Sequence, residues 1–125
     1  MIRRLAPWSP AALWAAFLFF LSSRTWDRAA VAVPIDDKVV HLLLYAVLGG
    51  ALALGRRLTP DPPAVWHLLI IGLLYALSDE VHQFFVPGRT PDPLDLLADG
   101  VGLVLGYAGV HLLMAGRPVF SSAST

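Results

Sequence analysis

The feature that most constrains this chain is a series of four long apolar stretches within only 125 residues. Clusters of proline, glycine and charged residues separate them. Each stretch approaches the roughly 20 residues that a tilted helix needs to cross the hydrocarbon core of a bilayer. The pattern predicts an all-α polytopic membrane protein, built as a four-helix transmembrane bundle. The stretches run from about Trp8 to Ser23, Val39 to Leu54, Ala64 to Val86 and Pro93 to Met114.

Composition supports lipid as the main solvent of this chain. Only 14% of its residues are charged and 57% are hydrophobic, whereas a soluble domain usually devotes about a quarter of its residues to charge. We expect residues 1–116 to form one transmembrane domain and the serine-rich residues 117–125 to form a disordered tail.

Charge and cysteine content exclude several classes of function. Nine basic and nine acidic residues cancel, so the chain lacks the basic balance of a nucleic-acid binder. The absence of cysteine excludes disulfides, thiolate metal sites and a cysteine nucleophile. Membrane lipid is the partner that remains, and the sequence does not determine an oligomeric state.

The first apolar stretch has two interpretations. Arg3 and Arg4, followed by an apolar run and small residues, also describe a secretory signal peptide whose cleavage would leave three helices. A retained anchor is favoured, because further apolar spans follow and Trp8 and Trp26 flank the stretch where interfacial aromatic rings usually lie.

The tight Arg56-Arg57 pair in the shortest loop, with the N-terminal arginines, then predicts a cell-membrane protein with both termini in the cytoplasm.

Polar residues inside the spans point to a site. An ionisable group within a span costs about 2.5 to 3.5 kcal/mol, so such groups usually face the bundle interior and pair. Here they recur at helical spacing and at similar depth from one side, which is extracytoplasmic on this topology. They are Asp37, His41 and Tyr45 in the second stretch, Asp79, Glu80 and Gln83 in the third, and Asp95 and Asp99 in the fourth.

A turn signal, Pro87-Gly88, precedes Arg89 and would hold its guanidinium close to the carboxylates. There it could pair with Asp79 or Asp95, or bind a phosphate or carboxylate ligand.

Structural roles are the alternative for several of these residues. Asp37 and Asp95 could cap helices, and His41 and Tyr45 could join helices by a hydrogen bond. The glycines are expected at close helix contacts, with Gly102-x-x-x-Gly106 as a small-xxx-small motif. The other glycines in this group are Gly49, Gly50 and Gly109.

The combination of these motifs resembles the VanZ-like family over roughly residues 10–110. The resemblance rests on Asp37-Lys38-x-x-His41-x-x-x-Tyr45, then Asp79-Glu80-x-x-Gln83, Pro87-Gly88-Arg89, and the helix with Asp95 and Gly102. Two positions depart from the family pattern: its usual Asn is Asp99 here, and its usual Ser is Asp92. The family is named for proteins that raise resistance to the lipoglycopeptide teicoplanin, which implies a role at the cell envelope.

The residues and the resemblance together give a candidate site and three hypotheses for its function. The first is an enzyme acting on a lipid-linked or wall-precursor substrate, in which His41 works with Asp79 or Glu80 as acid and base. The second is a non-catalytic binder of a lipid headgroup or antibiotic, and the third is a structural protein or proton-coupled transporter subunit. A divalent cation held by His41, Asp79, Glu80 and Asp99 is a further possibility. The catalytic candidates are Asp37, His41, Asp79, Glu80 and Asp95, and the substrate-binding candidates are Lys38, Tyr45, Gln83, Arg89 and Asp99.

Overall fold

The computed structural model describes residues 2–23, 37–88 and 92–118, and these residues form helices and connecting turns without a strand. The all-α prediction is therefore confirmed for this part of the chain. Trp26, Arg89 and most of the predicted tail, from residue 119 onward, lie outside the described residues. The elements are α1 (Ile2–Leu5), a 3₁₀ turn (Ala6–Trp8), α2 (Ser9–Ser22), α3 (Asp37–Leu58), α4 (Val65–Phe84) and α5 (Pro93–Met114).

The first apolar stretch is helical almost throughout but contains the 3₁₀ turn. Pro7 lacks a backbone N–H and cannot complete the α-helical hydrogen-bond pattern there, which favours the tighter turn. The turn places Trp8 against α3, where a Cβ atom added to Gly55 would lie 2.7 Å from the Trp8 ring. The N-terminal segment is thereby packed against the C-terminal end of α3.

Helix α3 is longer than the apolar stretch that predicted it, because its charged ends are also helical. Asp37 lies in its first turn, and Arg56 and Arg57 lie in its last turn. Acidic groups at a helix N-terminus and basic groups at its C-terminus complement the helix dipole, so these charges extend the helix rather than end it.

Helices α3 and α5 run parallel in close contact, and glycines determine their separation. A Cβ atom on Gly102 would overlap the carbonyl of Leu42, and one on Gly106 would overlap the carbonyl of Ala46. The small-xxx-small prediction is confirmed at these two positions.

The remaining glycines of that prediction have different outcomes. A Cβ atom on Gly49 would overlap the backbone of Leu103, and one on Gly50 would lie 2.9 Å from Val110, so both are close-packing positions. The prediction is wrong for Gly109, which has nothing within 4 Å of a built Cβ atom.

Three segments of the described chain are long and apolar enough to cross a membrane: residues 3–22, Asp37–Leu58 and Pro93–Met114. Helix α4 has the length, but polar residues in its last two turns lower its mean hydropathy, and a fourth crossing stays a prediction. Large apolar side chains are exposed on the outer faces, including Leu43, Leu74 and Leu105, each more than half exposed. Lipid is the solvent that such faces fit.

Candidate functional site

The N-terminal ends of α3 and α5 and the C-terminal end of α4 meet at one end of the bundle, here called the polar end. In the described part of the chain we define it by the side chains of Asp37, Lys38, His41, Tyr45, Asp79, Glu80, Gln83, Asp92, Asp95 and Asp99. The opposite end is basic, with Arg56 and Arg57 closing α3. There the guanidinium of Arg56 donates to the carbonyl of Pro63 at 3.0 Å.

His41 lies at the centre of the polar end, between α3 and α5. Its Nδ1 is 2.8 Å from a carboxylate oxygen of Asp99, which is only 1% exposed. Its Nε2 is 3.7 Å from Asp37 and 3.8 Å from Asp95. The imidazole is therefore fixed at one nitrogen, while the other faces two carboxylate oxygens beyond hydrogen-bond distance.

Lys38 bridges two carboxylates at the start of α5. Its ammonium donates to Asp92 at 3.0 Å and to Asp95 at 3.3 Å. Asp95 thus faces the ammonium with one oxygen and the His41 ring with the other. Asp95 is only 5% exposed, and a buried carboxylate without such partners would be strongly destabilising.

Asp92 organises the junction between α4 and α5. It is the N-cap of α5, where its side chain accepts a hydrogen bond from the backbone N–H of Leu94 at 2.9 Å. Its own backbone N–H donates to Glu80. The Leu94 N–H and the Lys38 ammonium hold the pKa of Asp92 below its usual value of 3.8. Glu80 and Lys38 thereby connect α4 and α3 to the same capping residue.

Tyr45 and Asp79 form a deeper pair one turn inward from His41. The Tyr45 hydroxyl donates to Asp79 at 3.2 Å, and the two residues are 2% and 7% exposed. The second oxygen of Asp79 is buried and has no hydrogen-bond partner among the described residues. An unpaired buried carboxylate oxygen is costly, and a donor or a cation beside this atom would lower that cost.

Two predicted members of the site are not joined to it in the described part of the chain. Gln83 is buried at 4% exposure on the same end of α4, but no hydrogen bond or ion pair connects it to the others there. Arg89 lies outside the described residues. His82 faces α2 instead, where it bonds to Ser23 at 3.0 Å and stacks on Phe19.

The pairings differ from those expected from the sequence. The carboxylate partner of His41 is Asp99 rather than Asp79 or Glu80, because α3 packs closely on α5. The N-cap of α5 is Asp92 rather than Asp95. Asp92 departs from the family pattern, and the sequence signal for its role is its place directly before the Pro of a helix start, which is typical of an N-cap.

One group of potential metal ligands converges at this end. Single ligand atoms of Asp37, His41 and Asp95 all lie within 4.8 Å of one another. The expected set of His41, Asp79, Glu80 and Asp99 does not converge in this way among the described residues. Asp79 is directed to Tyr45, and Glu80 to the backbone of Asp92. Neighbouring residues on a helix point about 100° apart, so Asp79 and Glu80 meet different partners.

The comparisons with known proteins identify a family. The profile described as VanZ/LLP1 matches residues 8–114. Searches of curated proteins and of solved structures found no match.

Proposed function

We propose that this chain, which belongs to the VanZ/LLP1 family, binds the polar headgroup of a cell-envelope lipid or lipid-linked wall precursor at the polar end of its bundle. The observation that carries the proposal is the concentration of buried ionisable groups at one end of otherwise apolar helices. Asp95 and Asp99 are 5% and 1% exposed there, and both face the His41 ring. Intramembrane ionisable groups are retained mainly for function.

The arrangement suits a ligand that is polar at one end and apolar at the other. An apolar cleft between α2, α3 and α4 is lined by Ala15, Leu52, Leu68 and Tyr75, among others. The Tyr75 ring lies 6.4 Å from that of Tyr45, whose hydroxyl bonds to Asp79. We propose that the cleft takes an acyl or prenyl chain and that the headgroup lies at the polar end.

The proposal includes the orientation of the helix bundle in the membrane. The basic end of the bundle faces the cytoplasm under the positive-inside rule, so the polar end opens outward. An outward site reaches the wall precursors that lipoglycopeptide antibiotics bind, which fits a family named for teicoplanin resistance. Four membrane crossings, with α4 as the third, are part of this proposal.

The binding test uses the full chain in nanodiscs of zwitterionic lipid, with and without a prenyl-diphosphate-linked wall precursor. We expect the precursor to raise the melting temperature of the wild type, and Glu80→Gln and His41→Ala to abolish that rise. Asp61→Asn and His67→Ala are matched controls, because both residues are exposed and belong to the loop and helix start of the basic end. Equal precursor effects in wild type, site variants and controls would contradict the proposal.

An acid–base reaction at this site is the second candidate, and the His41–Asp99 pair favours it. A carboxylate that fixes one imidazole nitrogen leaves the other free to accept a proton. In that case, mass spectrometry of membranes from expressing cells recovers a chemically altered precursor, and His41→Ala abolishes it. Binding without an altered lipid supports the non-catalytic function.

A further inference from the structure

The polar end carries more negative than positive charge in the described part of the chain. Its carboxyl groups come from Asp37, Asp79, Glu80, Asp92, Asp95 and Asp99, against the ammonium of Lys38 and the imidazole of His41. Four of these carboxyl groups, those of Asp79, Glu80, Asp95 and Asp99, are buried, and uncompensated charge is costly there. The unpartnered buried oxygen of Asp79 shows the imbalance at a single atom.

A phosphate headgroup would add further negative charge to the polar end. A phosphate that approaches this many carboxylates is repelled unless a cation lies between them. Divalent cations commonly bridge carboxylates and phosphates in proteins. A bound cation would offset this repulsion between a phosphate headgroup and the carboxylates of the described residues.

We infer that Asp37, His41 and Asp95 bind a divalent transition-metal ion, of the Zn²⁺ or Mn²⁺ class, on the ligand side of the polar end. This inference rests on the proposed headgroup binding for its biological role, but the site is defined by its own geometry. Nε2 of His41 lies 3.7 Å and 3.8 Å from the two carboxylate oxygens, and the ligand atoms fall within 4.8 Å. Two neighbouring ligands of a tetrahedral ion, each at about 2.0 to 2.5 Å, are separated by about 3.3 to 4.1 Å.

The surroundings of His41 are those of a metal-binding histidine. Such a ring usually donates its other N–H to a carboxylate, which fixes the tautomer and orients the lone pair. Asp99 occupies that position at 2.8 Å from Nδ1. The Nε2 lone pair then faces two carboxylate oxygens, an arrangement that is repulsive until a cation or proton separates them.

The choice of ion follows from the ligand types. Imidazole favours Zn²⁺ and related transition metals, carboxylates accept Mn²⁺ as well, and Ca²⁺ prefers oxygen ligands alone. Asp37 is half exposed, so water and a headgroup oxygen have access to the remaining coordination positions. When a cation is bound, Nε2 of His41 is one of its ligands, and this nitrogen then cannot act as a general base.

The test is a metal-binding measurement on the full chain in detergent, purified through a tag without histidines and stripped with EDTA. Mn²⁺ and Zn²⁺ are titrated separately, followed by elemental analysis of the desalted protein. We expect one ion per chain. We expect Asp37→Asn, His41→Gln and Asp95→Asn each to weaken binding at least about tenfold, and Asp99→Asn to weaken it by about 10–100-fold through the orientation of the ring.

Matched controls are Asp61→Asn and His67→Ala, which should bind as the wild type does. Binding of less than one ion per chain, or ligand variants that bind like the controls, overturns the inference. If a ligand variant does not fold, electron paramagnetic resonance of Mn²⁺ on the wild type decides, because coupling to an imidazole nitrogen is expected and its absence overturns the site.

Measuring precursor binding in the presence and absence of EDTA separates the two proposals. Precursor binding that persists in EDTA, with no metal bound at stoichiometry, overturns the cation site and leaves the headgroup function intact. If one metal ion binds per chain but no precursor binds under any condition, the headgroup function is overturned and the cation site stands.

Discussion

Single residues at the polar end show which features the sequence predicts and which it does not. Spacing along one helix places Asp37, His41 and Tyr45 on one face, but the partner of each depends on how neighbouring helices are rotated. The pairing of His41 with Asp99 follows from the close approach of α3 and α5, which intrahelical spacing cannot reveal. Asp92 caps α5 and bonds to Glu80 at the α4–α5 junction, which lies outside any apolar stretch.

Asp79 offers a test at this scale. Because one of its buried oxygens lacks a partner among the described residues, removing the charge should relieve an unfavourable desolvation. We expect Asp79→Asn to raise the free energy of unfolding by about 1 kcal/mol while it weakens ligand binding. Thermal unfolding in detergent and the precursor assay measure the two effects. Stability and function often oppose each other in this way at functional sites.

Tyr45→Phe is the companion variant for Asp79→Asn. It removes the hydroxyl that donates to Asp79 at 3.2 Å and leaves both carboxylate oxygens without that donor. We expect it to lower the free energy of unfolding, by about 1 to 3 kcal/mol. A lower melting temperature for Asp79→Asn would show that Asp79 has a compensating partner and would contradict the interpretation of its free oxygen.

The pH dependence of stability should report on Asp92. The pKa of this group is lowered by the Leu94 N–H and by Lys38, from a usual value of 3.8. A lowered folded-state pKa means that the ionised group stabilises the fold above pH 3.8 and loses this contribution as the pH falls through the folded-state value. Wild type should therefore exceed Asp92→Asn in stability at pH 7, and the difference should disappear in strong acid.

Asparagine is also a good N-cap, so Asp92→Asn isolates the charge that faces Lys38, while Asp92→Ala removes the cap as well. Melting temperatures of the three proteins across the pH range separate the two effects. A difference between wild type and Asp92→Asn that is constant with pH would rule out the charge contribution.

At the scale of elements, the sequence predicts the positions of the helices better than it predicts which helices contact each other. Apolar runs and their Pro and Gly boundaries locate α2 to α5 to within a few residues, because lipid requires helices of about this length. Helix α3 extends beyond its apolar run, because Asp37 and Arg57 at its two ends complement the helix dipole. Glycines gave the one reliable signal of helix contact, and even there Gly109 has no neighbour.

The α3–α5 contact allows a matched test. A methyl group on Gly106 would overlap the carbonyl of Ala46, whereas one on Gly109 meets open space. We expect Gly106→Ala to destabilise the fold by about 1 to 3 kcal/mol through strain. Gly109→Ala should be neutral or stabilising by up to about 1 kcal/mol, because alanine favours the helix. Thermal unfolding of both variants measures the difference, and equal melting temperatures would show that α3 and α5 separate easily.

A substitution at the α3–α5 contact should also change the geometry of the polar end. Forcing α3 and α5 apart at Gly106 also separates His41 from Asp99 and Lys38 from Asp95, which span the same two helices. Gly106→Ala should therefore weaken ligand binding although it lies far from the polar end, and Gly109→Ala should not.

At the scale of the whole molecule, charge is divided between the two ends. Carboxylates gather where α3 and α5 begin, which is also where their helix dipoles favour negative charge. The arginines of the described residues lie at the other end, where Arg57 donates to the carbonyl of Arg117. For the described residues this division fits the orientation proposed above, since cytoplasmic ends of membrane helices carry excess basic residues.

The absence of cysteine from the chain allows a direct test of that orientation. Single cysteines at Pro62, Phe85 and Pro118, all exposed in the structure, would each give one reactive thiol. If α4 crosses the membrane and the polar end faces outward, a membrane-impermeant maleimide should label Phe85→Cys in intact cells. It should label Pro62→Cys and Pro118→Cys only after permeabilisation. Labelling of Pro62 and Phe85 on the same side would mean that α4 does not cross. The reverse pattern would place the polar end in the cytoplasm and would favour a nucleotide or CoA substrate.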